Sequence, residues 1–513
     1  MASPSDEVSL AENPLPCYIS SIPPEILCKI MLMCDRDLTL WNESRRRFPA
    51  GHNIPVRLTQ ICSSWRMLAL DTRELWSSVT LVFNLALVGK ISTITKFADY
   101  WLAKGQRGKL ALEIDMGVSL APRIHDLESI GQLLTAWASD WRNLTITGCS
   151  DSVAEYVISK MAQSTYTSLE EFELHASSIV WHTRFDALAA LPRLHAVNFQ
   201  CRCTPAYHDL TLLLLPWSQL ESVSIWVPVS GHKWLDVLKN CTELTTLELH
   251  VVCDVPAPEF RPPLVLPKLS KLRVVAPRTL WINNTSDIES FLGVLHLPML
   301  VDFDLHLSKE DPWNPLVSPF WERHAAQLRS LQLSNPYFPV DARLLFLTVP
   351  NLMSLKLSFC ESRFSAPDFD ALRVEQLLPA LTHLDLTTWD ERGVQEIDSV
   401  RSAIAFLEAR TTTTTGVARI AQVRFADWTN WDPVAMAMEL QRLRALVAQG
   451  MDVQWMARRY DLLASRATSI RSPSIHSRSS RSLSFRSYIE DYSDSEPTSP
   501  TTSLVKPKRN SLR

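Results

Sequence analysis

Glycine is scarce in this chain, with 12 in 513 residues. A phosphate-cradling loop needs glycines close together, because only a bare backbone lets amides approach the anion. Neither G-x-G-x-x-G nor a P-loop occurs, and G-x-S-x-G and H-E-x-x-H are missing as well. No set of nucleophile, base and orienting group can be assembled, so the chain reads as a recognition protein rather than an enzyme. Long apolar runs are also lacking. The longest, such as LTLLLLP ending at Pro216, fall far short of the roughly 20 residues a membrane helix needs. The first 14 residues, MASPSDEVSLAENP, are polar and acidic without the apolar core of a signal peptide. An intracellular protein, cytoplasmic and/or nuclear, is the expectation. Charge of one sign is not in excess: 51 Lys and Arg stand against 55 Asp and Glu, net −4, which gives no pull toward nucleic acid or an anionic membrane. Ten cysteines at irregular spacings suit reduced core thiols better than a disulfide framework. Cys201 and Cys203 form a C-x-C with no second pair at zinc spacing, so neither metal nor cofactor is expected.

What the chain does have is 46% apolar residues, 32 prolines and 17 tryptophans, and a phrase that recurs. In CTELTTLELH (241–250) the leucines fall as L-x-x-L-x-L. On a strand, Leu247 and Leu249 point to one side and Thr246, Glu248 and His250 to the other. The frame returns at Leu169/Phe172/Leu174, Leu194/Val197/Phe199, Leu220/Val223/Ile225, Leu269/Leu272/Val274, Leu300/Phe303/Leu305, Leu328/Leu331/Leu333, Leu352/Leu355/Leu357 and Leu381/Leu384/Leu386. First positions are 24 to 31 residues apart. KLALEI (109–114), RNLTIT (142–147) and ARIAQVRF (418–425) are weaker copies, giving about twelve units. A single unit cannot bury its apolar side, whereas a stack can.

The period and the LPxLxxLxL phrase resemble leucine-rich repeats. That resemblance implies an irregular α/β solenoid over residues 81–430, with a parallel sheet on its concave side and helices or irregular segments behind. The asparagine that often follows the strand in such repeats is mostly replaced, by Ser177, Pro228, Pro277, Pro336 and Trp389, with only Cys360 fitting. The alternate strand positions then face a partner. Candidate contacts are Glu171, Glu173, Trp226, Glu248, His250, Arg273, Asp302, Asp304, Lys356 and Asp385, which slightly favour a basic or mixed target segment. Trp226 is either an interface anchor or packed under the adjacent VPVSGHKW segment.

Between residues 15 and 80 the pattern is helical. Pro23 and Pro24 suit a first helical turn, where a missing N–H costs nothing, and Glu25 suits the positive end of the dipole. Ile22, Ile26 and Ile30 repeat every four residues with Leu27 beside them. Residues 35–56 break the periodicity. One further helix is expected to carry Leu58, Ile61, Cys62, Trp65, Leu68 and Ala69, followed by Leu75 and Trp76. The order I-P-P-E-I-L, I-C-S-S-W-R-x-L-A and E-L-W-S-S resembles an F-box, in its fungal form with a long insertion after the first helix. The resemblance implies docking on a Skp-family adaptor of a cullin-RING ubiquitin ligase. Ile22, Pro23, Glu25, Ile26 and Ile30 would form one contact segment, and Ile61, Cys62, Trp65, Leu75 and Trp76 the second. Two amphipathic helices would equally cap the open end of a repeat stack.

Downstream, Asp432 and Pro433 open a helical stretch to Gly450, and a second helix is expected near 451–463, together a helical cap (431–463). From 464 to 513 the chain becomes Ser- and Arg-rich, then acidic, then basic at KPKR, too polar to fold alone. Ser472 and Ser499 beside prolines are phosphorylation candidates. The resulting expectation is a substrate-recognition subunit of a Skp-cullin-F-box ligase that holds an unknown protein target and needs neither nucleic acid nor membrane. The alternative is a repeat scaffold or inhibitor acting without ubiquitin.

Overall fold

The computed structural model describes residues 22–34, 54–83, 90–117, 124–176, 186–201, 214–252, 263–276, 286–307, 316, 318–334, 341–358, 365–375, 377–387, 397–411, 417–426 and 437–456. The chain divides into two units, Met1–Leu463 and Ala464–Arg513. The serine-rich tail, Ser472, Ser499 and KPKR lie outside the described residues, as do Asp432 and Pro433 and most of the insertion.

Three helices come first: α1 (Pro24–Met33), α2 (Ile54–Ile61) and α3 (Ser63–Asp71). A 3-10 turn at Arg73–Trp76 leads into β1 (Ser78–Val82). Strands and helices then alternate through α4 (Ile91–Leu102), β2 (Leu110–Asp115), α5 (Ile124–Ala136), β3 (Trp141–Cys149), α6 (Asp151–Met161), β4 (Glu171–Ala176), α7 (Asp186–Ala189), β5 (Ala196–Cys201), β6 (Ser222–Ser230), α8 (Gly231–Leu238) and β7 (Thr246–Val252). Next come β8 (Leu264–Val265), β9 (Lys271–Val275), α9 (Ser286–Val294), β10 (Leu295–His296), β11 (Asp302–His306), α10 (Pro319–His324), β12 (Ser330–Ser334), α11 (Ala342–Thr348) and β13 (Ser354–Ser358). The last elements are α12 (Ala366–Val374), β14 (His383–Thr387), α13 (Ile397–Thr411), β15 (Gln422–Ala426), α14 (Ala437–Ala448) and β16 (Asp452–Met456).

Fourteen of the strands form one open parallel sheet in sequence order, while β8 and β10 pair separately. The ladder aligns the recurring frame residue for residue. Phe172 pairs with Val197, Val197 with Val223, and Val223 with Leu247. The same row continues through Leu272, Phe303, Leu331, Leu355 and Leu384. Of the frame positions, only Leu386 is half-buried; the others are all buried. Each such side chain contributes about 1.5 to 3 kcal/mol relative to exposure, offset in large part by the entropy of ordering the chain. The buried residues join into one core that runs from Leu27 in α1 to Val453 in β16.

Three expectations need correction. The single helix expected over 58–69 is two helices, because Cys62 is extended (φ −156°, ψ 173°) and its Sγ accepts the amide of Trp65 at 3.5 Å as an N-cap. The first of the two, α2, begins at Ile54, inside the expected insertion. At the other end, 452–456 is a strand and not a helix. Gly450 (φ 88°) takes a left-handed conformation after α14, and Met451 and Val453 then alternate with Asp452 and Gln454 to join β15. Residues 78–80, assigned to a helical module, join 81–82 in the first sheet strand, with Val79 and Leu81 buried. Among the described residues, no helix is long and apolar enough to cross a membrane.

Candidate functional site

Two surfaces stand out, one apolar and one polar. The apolar one lies on the N-terminal helices. The α1 helix carries two apolar stripes, since Leu27 and Met31 face the core while Ile26, Ile30 and Met33 form the neighbouring stripe. Ile26 is 46% exposed, Ile30 41% and Met33 85%, too much apolar area to leave in water without a reason. Ile61 at the end of α2 and Met67 and Leu70 on α3 are exposed as well. Pro23, Glu25 and Cys62 are exposed, and Ile22 and Trp65 pack partly against the core. Leu75 and Trp76 are fully buried, and the Trp76 indole donates to the Ala69 carbonyl at 2.8 Å. They hold the turn against α3 and have no surface to offer a partner, so the expected second contact segment reduces to Ile61, Cys62 and the outer edge of Trp65. Met33, Met67 and Leu70 were not among the expected contacts. Met33 extends the i, i+4, i+7 series from Ile26, which is the signal that could have found it.

The polar surface is the face of the sheet opposite the core. Every expected contact on β4 to β14 falls there, in registered rows: Glu171 opposite Ala196, Glu248 opposite Arg273, Arg273 opposite Asp304, and Lys356 opposite Asp385. The row through Asp302 pairs it with Lys271 and Ser330. Trp226 also lies on this face, half-buried, and the segment after it is not a loop: β6 runs on to Ser230 and Gly231 opens α8. Its indole donates to Ser224 Oγ at 2.9 Å, and the Arg273 guanidinium sits 4.6 Å from its ring centroid. Arg273 also pairs with Asp304 at 3.0 Å and with Glu248 at 3.9 Å.

The two ends of this face differ in charge. The outward rows of β1 to β6 carry Glu113, Asp115, Glu171 and Glu173, and the one Lys or Arg on these strands, Arg142 near the start of β3, is paired with Glu170 at 2.7 Å. These carboxylates are met by neutral donors instead: Thr80 to Glu113 at 3.0 Å, Asn143 to Glu171 at 2.6 Å and Asn198 to Glu173 at 2.7 Å. His175 approaches Glu173 at 2.6 Å. Burial pushes the Glu173 carboxyl up, but the hydrogen bond and charge of His175, with Thr145 and Asn198, outweigh it and hold the group below its usual range. From β7 onward, cations and anions alternate and pair, as in Arg273–Asp304 and Arg424–Asp385 at 3.9 Å.

The centre of the face is tightly packed. Burial, then the neighbouring His306, lowers His250 to about 3, and its Nε2 has no hydrogen-bond partner among the described residues. Burial, then Arg273 and Lys356, lowers His306 to about 4. Burial raises Asp304 to about 6 against the pull of Arg273 and Lys356. Both histidine side chains are half-buried, so the outward face at this point is not freely solvated.

No family model matches this chain, and no curated protein matches it. Arg424, on the same outward row, extends the polar face one strand beyond the expected contacts. Cys201 and Cys203, the C-x-C pair, have side chains outside the description. Among the described residues, no group of three or more His, Cys, Asp or Glu side chains is placed to hold a metal ion.

Proposed function

We propose that this chain is the substrate-recognition subunit of a Skp-cullin-F-box ubiquitin ligase, with an F-box at α1 to α3 and a leucine-rich-repeat solenoid behind it. The observation that carries the reading is the exposed stripe of Ile26, Ile30 and Met33 on a helix whose neighbouring stripe, Leu27 and Met31, already supplies the core contact. An end cap needs only the buried stripe, whereas a docking helix needs both. The I-P-P-E-I-L and I-C-S-S-W-R segments add the motif order of an F-box.

In this mechanism the chain performs no bond chemistry. The apolar helices hold the adaptor, the polar sheet face holds the target, and the rigid core between them fixes the target lysines in reach of the conjugating enzyme. The carboxylates on β2 and β4 suit a target segment that carries basic residues. The test is binding of the full chain to a purified Skp-family adaptor. Submicromolar binding is expected, with loss on joint Ile26→Ser and Ile30→Ser in a protein whose melting is unchanged. Absence of binding by the wild-type chain would sink the proposal and leave a repeat scaffold acting without ubiquitin.

A further inference from the structure

The α4 helix buries Ile91, Thr95, Ala98, Trp101 and Leu102 along one face. That face suffices to seat it on β1. Phe97 and Tyr100 nevertheless lie on a second stripe and are 43% and 64% exposed. Of the sixteen large apolar side chains that are exposed among the described residues, eight fall between Ile26 and Tyr100, and the only two aromatic rings in the set are these. Large exposed aromatics are costly to keep in water and are the commonest anchors of interfaces.

Their position ties them to the helical module. Trp76, which ends that module, packs at a tilt of 57° against Trp101 with ring centroids 4.5 Å apart, and Phe97 lies 6.0 Å from Trp101. Lys104 bridges the same junction, with its ammonium 5.1 Å from the Trp76 ring and 3.7 Å from the Tyr100 ring. The Phe97/Tyr100 stripe is therefore linked, through the buried Trp76 and Trp101 rings and Lys104, to the turn that follows α3.

We infer that the adaptor-docking surface continues past the three N-terminal helices onto α4, where Phe97 and Tyr100 give the adaptor a second apolar footing. This inference rests on the adaptor-docking reading and deepens it. A chain held only at α1 to α3 could pivot about that contact. A second footing on a helix packed against β1 sets the angle between adaptor and sheet, and so where a bound target sits.

The test compares the full wild-type chain with a joint Phe97→Ser, Tyr100→Ser variant, using a purified Skp-family adaptor as probe. Both residues are exposed, so unchanged melting verifies that the variant folds. The expected result is at least about tenfold weaker adaptor binding, with amide-exchange protection of 91–102 on complex formation in the wild type. Equal affinity of variant and wild type, with no protection of α4, would overturn the second footing while leaving the adaptor reading intact. No binding by the wild type would remove both. Self-association of the free chain that the same variant abolishes would assign the stripe to a second copy and would also overturn it.

Discussion

The N-terminal helices and the sheet treat their apolar residues in opposite ways. On the sheet, alternation sends the frame residues inward, and the outward rows are almost wholly polar. On α1, Leu27 and Met31 are buried in the core and Leu32 packs partly against it, while Ile26, Ile30 and Met33 stay exposed. The sheet has used its hydrophobicity to hold itself together, while the helices have some left over. Surplus of that kind is informative because folding alone does not require it.

The sharpest way to break this contrast is at Leu247, in the middle of the buried row. Leu247→Asp places an unpaired carboxylate in the core, and a cooperative loss of about 3 to 5 kcal/mol is expected in thermal or urea unfolding. An unchanged midpoint would mean that the row is not a core. The mirror experiment is joint Ile26→Ser and Ile30→Ser, which should alter unfolding by less than about 1 kcal/mol yet weaken adaptor binding roughly a hundredfold in titration calorimetry. If that variant unfolded instead, α1 would be a structural helix and nothing more.

A smaller effect is expected from pH. His250 and His306 are held neutral in the folded protein, so as pH falls from 6.5 toward about 4 the unfolded chain takes up protons that the native state refuses, and stability declines. Asp304, raised to about 6, works in the other direction between pH 6 and its unfolded value of 3.8. Two histidines against one carboxyl leave a net loss of roughly 1 kcal/mol per pH unit from this cluster. Joint His250→Gln and His306→Gln should flatten the fall in melting temperature between pH 6.5 and 4.5, and identical slopes would show that neither ring is closed off from water. Least of all should come from Glu171→Gln, which trims an exposed contact to Asn143. A shift within about 0.5 kcal/mol is expected for such a site, and a larger one in chemical denaturation would mean that the outward rows help to hold the sheet together.

The strong strands were legible because leucine at a period of two, preceded by a third leucine three residues earlier, leaves little choice of structure. The ends were not. At β16 the apolar residues are fewer: Gly450 marks the end of the helix before it, but the alternation of Met451 and Val453 is too short to set a strand apart from the second helix expected there. The spacing of Cys62 fits a helix face, although its side chain serves as a cap. In α1 the spacing of Ile22, Ile26 and Ile30 and that of Leu27 and Met31 are equally helical, and only packing decides which is buried. The close-packed centre around His250, Arg273 and Asp304 depends on side chains from three strands that meet only after folding, so no local pattern announces it.

Registered pairing has a consequence for how such a chain can change over time. The distance along the chain between equivalent positions ranges from 24 residues, Ser222 to Thr246, to 39 residues, His383 to Gln422, yet the rows stay aligned. Added length is therefore absorbed in the connections, where α13 alone takes up 15 residues. Insertions and deletions can accumulate there without moving any outward side chain relative to its neighbours, whereas a single residue gained inside a strand would turn a whole row over. A lineage of such proteins can thus vary in size while its outward rows change one side chain at a time.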